Sequence, residues 1–277
     1  MTDLALYITN KNYSSWSLRI WLLMRALAIP FEEVMAPMTG KAQIPGMTDI
    51  SPTGKVPCLV DRDQGGLAVW ESIAITEYLN ELFPECGIWP AQMRDRARAR
   101  ALVSEMHGGF AALRGECPMN MRRPPATLAV SDACRADVAR AGAIFASSLD
   151  ASGGPFLMGK FSAVDAFYAP VLSQILTYNL LDSAAVHAFS GALENLQAWQ
   201  EWRRAALAET AIVAADEVGK IPQGRWQTPG QSPGFHLICR MPSCRDNHAR
   251  HVRQGPARQP RSVHPPAIHQ SRVRSSG

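Results

Sequence analysis

Two hydrophobic rhythms divide the chain. Up to residue 84, short apolar runs alternate with helical stripes; between residues 91 and 208, only helical stripes occur. Residues 4–9 (Leu-Ala-Leu-Tyr-Ile-Thr) form an apolar run too short for a helix and read as a buried strand. A polar loop rich in helix-capping residues follows. Residues 17–28 are an apolar helical run containing Leu18, Trp21, Leu22 and Leu27, and Pro30 stops it. Residues 31–36, 56–60 and 67–70 read as three more strands, with an irregular stretch at 37–50 and a turn at 61–66. Residues 71–83 place Ile75, Tyr78, Leu79 and Leu82 on one stripe, ended by Pro84. A β-α-β unit implies a parallel pair, and the short turn at 61–66 implies a hairpin. The expectation is a mixed four-stranded sheet covered by helices.

Past a linker at residues 85–90 the pattern is helical throughout. Helices are expected at 91–115, at 131–151 capped by Ser131, from Ser162 to about 178, and at 184–208. Ser162-Ala-Val-Asp165 has the form of a capping box, with Asp in the usual Glu position. Phe189, Leu193, Leu196 and Trp199 keep helical spacing across the last of these. No strand signal appears between 91 and 220, so residues 91–222 read as an all-α domain. From residue 223 the composition breaks. Residues 223–277 are rich in Pro, Arg, His and Ser with no hydrophobic period, and a disordered basic tail is expected. A shifted reading frame near the end of the gene would produce such a break; sequencing the gene and weighing the intact protein test that.

The tail also changes how the charge is read. Residues 235–277 hold eight arginines, no lysine and one acid, so the formal +4 of the 277-residue chain conceals a mildly acidic remainder with 20 basic and 23 acidic residues. The folded domains therefore give no reason to expect nucleic-acid binding. The apolar run around Ile20 to Met24 is bounded by arginines and far too short to span a bilayer. The start of the chain carries an acid and no basic region, unlike a secretory leader. Six cysteines, at 58, 86, 117, 134, 239 and 244, show no paired metal spacing, so no metal site is expected. Scattered thiols point to a reducing cytoplasm.

Candidate chemistry gathers around residues 51–60, Ser-Pro-Thr-Gly-Lys-Val-Pro-Cys-Leu-Val. Pro57 lacks an N–H and belongs at a strand's first residue or edge, so Lys55 to Cys58 makes a sharp entry into a sheet. Such a turn tends to hold one backbone group open for a ligand, and X-Pro is the common place for a cis peptide. Glu71 and Ser72 start a helix after a strand, where free N–H groups bind a carboxylate. The plain alternative is that Ser72 is an ordinary cap.

Four motifs carry a resemblance: Asn12-Tyr-Ser-Ser-Trp-Ser-Leu-Arg19, Gly54-Lys-Val-Pro57, the stretch from Trp70 to Leu79, and Gly159-Lys-Phe-Ser-Ala-Val-Asp165. In order and spacing over about residues 1–215 the chain resembles the cytosolic glutathione S-transferases, most of all their serine-type, zeta-like bacterial members. Trp16 stands where that group usually has Cys. The resemblance implies an α/β thioredoxin-like N-terminal domain at 1–84 and an all-α C-terminal helical domain. It implies glutathione as co-substrate, a small-molecule electrophile as second substrate, and a cytoplasmic homodimer active in detoxification. Ser14 is then the activating serine with Ser15 its rival; the plain alternative is that both are only helix caps. Val56, ahead of Pro57, pairs its backbone with the cysteinyl part of glutathione. Glu71 and Ser72 hold the γ-glutamyl end, and Lys41 reaches for the glycyl carboxylate.

A free thiol has a pKa of roughly 8.5, so a hydroxyl donor near a helix N-terminus has a clear task. Lowering that pKa by about two units takes roughly 2.7 kcal/mol. The second substrate is expected between the domains, beside Met106, Phe110 and Arg114, with His107, Cys117, Met119, Asn120, Arg122 and Arg123 nearby. An arginine facing that cleft suits an anionic substrate, as in the maleylacetoacetate isomerases of the zeta group. The competing expectation is a non-catalytic binding protein on the same fold.

Overall fold

The computed structural model describes residues 2–36, 44 and 46–219. Strands β1 (Leu4–Ile8), β2 (Glu32–Met35), β3 (Cys58–Asp61) and β4 (Leu67–Trp70) form one sheet in the order β2-β1-β3-β4. β1 pairs parallel with β2, and antiparallel with β3, which pairs antiparallel with β4. The crossover between β1 and β2 is helix α1 (Ser15–Ala26), as a parallel pair requires. The turn between β3 and β4 is held by buried Asp61, whose carboxylate accepts the Asp63 and Gln64 N–H groups and the Tyr78 hydroxyl. Helix α2 (Ser72–Leu82) follows β4 and buries Ile75 and Leu79.

The helical half comprises α3 (Met93–Gly108), α4 (Ala111–Glu116), α5 (Asp132–Ser152), α6 (Ala163–Thr177), α7 (Ala184–Glu194) and α8 (Gln197–Ala208). Two single-helix expectations become pairs. The run 91–115 breaks where Gly109 turns extended and Phe110 takes φ +56°. A Cβ at Gly109 would lie 2.6 Å from the Glu105 carbonyl oxygen, so the break needs glycine there. The run 184–208 breaks at Asn195 and Leu196, between α7 and α8.

α1 and α6 form the axis of the molecule. α1 lies between the sheet and the helical half and buries every residue from Ser17 to Met24. Trp21 meets Trp202 of α8 edge to face at 5.2 Å. All of α6 except Leu176 is buried, and Asp165 at its start is fully buried. The Asp165 carboxylate accepts the Leu157 N–H (2.8 Å) and the Ser162 N–H (2.9 Å), completing the capping box. One apolar core therefore runs from the sheet through α1 into α3–α8. The other face of the sheet carries only a small cluster of Ala36, Ile44, Met47 and Cys58 among the described residues. The tail at 223–277, with Cys239 and Cys244, lies outside the described residues, as does Lys41. Among the described residues no helix is long and apolar enough to cross a membrane.

Candidate functional site

The loop before α1 is fixed from three sides. Buried Asn12 donates its side-chain N–H to Asn120 Oδ1 (3.1 Å) and accepts the Arg122 N–H (2.8 Å). The Glu209 carboxylate accepts the Lys11 and Asn12 N–H groups at 2.7 and 2.9 Å. Tyr13 donates its hydroxyl to Glu217, and Arg122 donates to the Glu209 and Ala211 carbonyls and to the Tyr13 hydroxyl. Residues 209–219 thus strap the start of α1 to the turn after α4. Burial, then Glu217, raises the Tyr13 phenol above its ordinary value.

Within this frame Ser14 is the N-cap of α1. Its Oγ accepts the Ser17 N–H (3.3 Å) and donates to Ser17 Oγ (2.8 Å), which in turn accepts the Thr9 N–H. Ser15 is the first helical residue and Trp16 the second, at the positive end of a 12-residue helix.

Two cavities open on either side of Trp16. The first, about 160 Å³, is walled by Thr53, Lys55, Val56 and Pro57 ahead of β3, by Glu71 and Ser72 at the start of α2, and by Trp16. The Val56–Pro57 peptide is cis. Glu71 has φ +67°, a left-handed value rare for a side chain with a Cβ, and it turns the chain abruptly from β4 into α2. That strain sits at the mouth of a cavity, where backbone strain commonly clusters. The first-turn N–H groups of α2 suit an anion.

The second cavity, about 340 Å³, is walled by Tyr13, Ser15 and Trp16, by Ala111, Arg114 and Gly115 of α4, by Pro118 and Met119, and by Gln174 and Asp216. Arg114 is held below the ordinary arginine range by burial, against the pull of Asp137. Arg19, fully buried behind, stacks 3.8 Å from the Trp16 ring centre. Burial, then Arg114, lowers its pKa to about 9. Among the described residues neither its Nε nor its Nη1 has a hydrogen-bond partner, nor has Arg114 Nε. Opposite, Asp216 is raised by burial and by Glu217.

The candidate residues read from the sequence divide accordingly: Val56, Pro57, Glu71 and Ser72 meet at the first cavity, and Ser15 and Arg114 at the second. Ser14 lies just behind, its hydroxyl engaged by Ser17. Met106 and Phe110 line neither cavity. Met106 faces the core from α3, and the left-handed backbone at Phe110 turns its ring onto Tyr168, edge to face at 6.0 Å. Cys58 is buried, and burial pushes its thiol up to about 11. Sequence reasoning missed Trp16, Tyr13, Gln174 and Asp216 as wall residues. The one available signal was Trp16, a large aromatic at the start of a helix in a motif that otherwise has a small side chain there.

Residues 13–82 match the family model of the glutathione S-transferase N-terminal domain. The Stringent starvation protein A homolog of Haemophilus ducreyi is 29% identical over 124 residues, 45% of this chain and 54% of its own length. Glutathione S-transferase T1 of Arabidopsis thaliana is 35% identical over 82 residues, 28% of this chain and 32% of its own length. The chain thus spans about a third to a half of these curated relatives. A glutathione transferase homolog from Burkholderia, solved with bound glutathione, superposes with a TM-score of 0.57 at 18% identity, covering 74% of this chain and 98% of that one. The architecture is a thioredoxin-like N-terminal domain with a mixed four-stranded sheet, followed by a helical region. It is the fold of glutathione S-transferase structures, and residues 13–82 match that family's N-terminal domain.

Proposed function

We propose that the chain is a glutathione transferase that activates the glutathione thiol for attack on, or isomerisation of, a small electrophile. The observation that carries this is Trp16, which lines both cavities. The two cavities therefore share a wall at the N-terminus of α1, where a thiolate is favoured by the helix dipole. In this reading glutathione, the ligand bound in the Burkholderia structure, lies in the first cavity. Its γ-glutamyl carboxylate meets the start of α2, its ammonium meets Glu71, and its cysteinyl backbone meets Val56. The sulfur then lies at the Trp16 seam, within reach of Ser15, with Ser14 directly behind.

The second cavity takes the electrophile, and Arg114 favours an anionic one. The Asn12–Arg19 motif resembles that of the serine-type, zeta-like members, and on that resemblance isomerisation of a maleylacetoacetate-like acid is the finer form of this reading. Exposed Leu67 and Trp70 of β4 and exposed Met93 of α3 provide apolar surface for a homodimer, which sedimentation at micromolar concentration tests.

A second reading has one observation in its favour. Ser14 gives its hydroxyl hydrogen to Ser17, which leaves a binding protein without an activating donor at that position. A glutathione-affinity column followed by assays with an aryl halide, maleylacetone and an organic peroxide decides between them. Retention with turnover supports the transferase; retention without turnover supports the silent binder; flow-through of folded protein sinks both.

A further inference from the structure

We infer that His107 is a positioning residue: it sets which way the Ser72 hydroxyl hydrogen points, and so makes the first cavity's hold on a carboxylate depend on pH. The inference rests on the first cavity being the glutathione site. His107 stands in the last turn of α3, in the helical half, yet its ring reaches the wall of the first cavity. Its Nδ1 lies 3.3 Å from Ser72 Oγ and its Nε2 lies 3.6 Å from the Glu71 carboxylate. The ring meets Trp16 edge to face at 5.2 Å.

A neutral imidazole carries one N–H. With that hydrogen on Nδ1, the bare Nε2 lone pair would face the Glu71 carboxylate. The hydrogen therefore belongs on Nε2, directed at Glu71, and Nδ1 accepts from the Ser72 hydroxyl. In that state Ser72 Oγ presents only lone pairs to the cavity, which repel a carboxylate. A second proton, on Nδ1, reverses the pair. Nδ1–H then donates to Ser72 Oγ, and the hydroxyl hydrogen turns to the cavity, beside the free N–H groups of α2.

The charged groups facing the ring are Glu71 at the start of α2, Arg19 of α1 and Arg114 of α4. Burial is the largest influence and lowers the imidazole below its ordinary value; Glu71 pulls it up, and the two arginines push it down. The ring is thus mainly neutral at pH 7, and the reversal falls on the acid side of roughly 6.5.

The test uses S-methylglutathione, whose sulfur does not titrate, in calorimetric titrations of the full chain from pH 8 to pH 5. In the wild type, Kd is expected to tighten about tenfold toward pH 5, the scale of one charge-assisted hydrogen bond. In His107→Gln, which keeps a hydrogen-bonding amide but does not titrate, Kd should stay within about twofold across the range. Nitrogen-15 spectra of the ligand-free chain, with His107 identified by the same variant, should show hydrogen on Nε2 and a bare Nδ1 at pH 8. Hydrogen on Nδ1 at pH 8, or an unchanged pH profile in His107→Gln, overturns the inference. Failure of the wild type to bind S-methylglutathione at any pH sinks the glutathione reading instead, and the nitrogen spectra still decide where the proton sits.

Discussion

The two cavities are built in opposite ways. All but one of the first cavity's wall residues come from two short stretches, Thr53–Pro57 and Glu71–Ser72, a turn and a helix start. The second draws on the start of α1, on α4 and the turn after it, on α6 and on the strap at 209–219, and it works through side chains that only packing brings together. The difference teaches where each property resides. Affinity for the shared co-substrate should depend on a few local residues. Choice of electrophile should depend on residues distant in sequence, and all of them but the shared Trp16 lie outside the first cavity's wall.

Glu71 gives the largest expected effect. In the proposed glutathione pose the Glu71 carboxylate meets the ligand's ammonium, so in Glu71→Gly glutathione affinity should fall roughly a hundredfold by calorimetry. Glycine adopts φ +67° without penalty, so the melting temperature should hold or rise. A variant that keeps its affinity would show that the first cavity binds through backbone alone; one that unfolds would show that the side chain supports the fold.

Arg114→Leu tests the second cavity from the other side. Loss of one charge-assisted contact should lower kcat/KM for carboxylate-bearing electrophiles about thirtyfold, roughly 2 kcal/mol. A neutral aryl halide should lose less than about threefold, and glutathione affinity should not move. Equal losses for both substrates would place Arg114 with the thiol instead.

The same division explains what the sequence made legible. The first cavity could be read in advance because Gly54–Pro57 and Glu71–Ser72 are local signals, a forced turn and a helix start, and each carries its own physics. The second could not. Met106, Phe110 and Arg114 sit within nine residues on an apparently continuous helical stripe, and nothing in that spacing reveals the left-handed residue at Phe110. That single backbone angle separates α3 from α4. Met106 and Phe110 end in the core and Arg114 at the cavity wall. Likewise Leu193, Leu196 and Trp199 keep helical spacing straight through the break between α7 and α8. Asp216 lies about a hundred residues from Arg114, beyond the reach of any periodicity argument.

Ser14 and Ser15 sharpen the comparison at the seam. Ser14→Ala removes the N-cap of α1 and should cost about 1 kcal/mol, a melting shift of roughly 2–4 °C. Ser15→Ala should leave stability nearly unchanged and raise the pKa of bound glutathione's thiol, so that turnover falls most at low pH. Difference spectra of the bound thiolate against pH, beside thermal melts of both variants, separate the roles. A raised thiol pKa in Ser14→Ala alone would return the activating role to Ser14 and leave Ser15 as a wall residue.

The smallest expected effect belongs to a pair outside both cavities. Arg140 of α5 forms a double hydrogen bond with Glu105 of α3 at 2.6 and 2.9 Å, and this holds the Glu105 carboxyl below its ordinary value. Both side chains are at least a third exposed, so solvent screens the pair, and its worth is about 0.5 kcal/mol or less. A depressed carboxyl pKa stabilises the fold above the unfolded value, roughly 4.3, and that contribution fades as pH falls through the lower folded value. Arg140→Ala should therefore cost a few tenths of a kcal/mol at pH 7, and progressively less as pH falls below the unfolded value of roughly 4.3, by denaturant unfolding at each pH. Kd for glutathione and kcat/KM for either electrophile should match the wild type. A change in either would mean that α3 and α5 transmit strain to His107 and Arg114, and the two cavities would then be coupled through the helical half rather than only through Trp16.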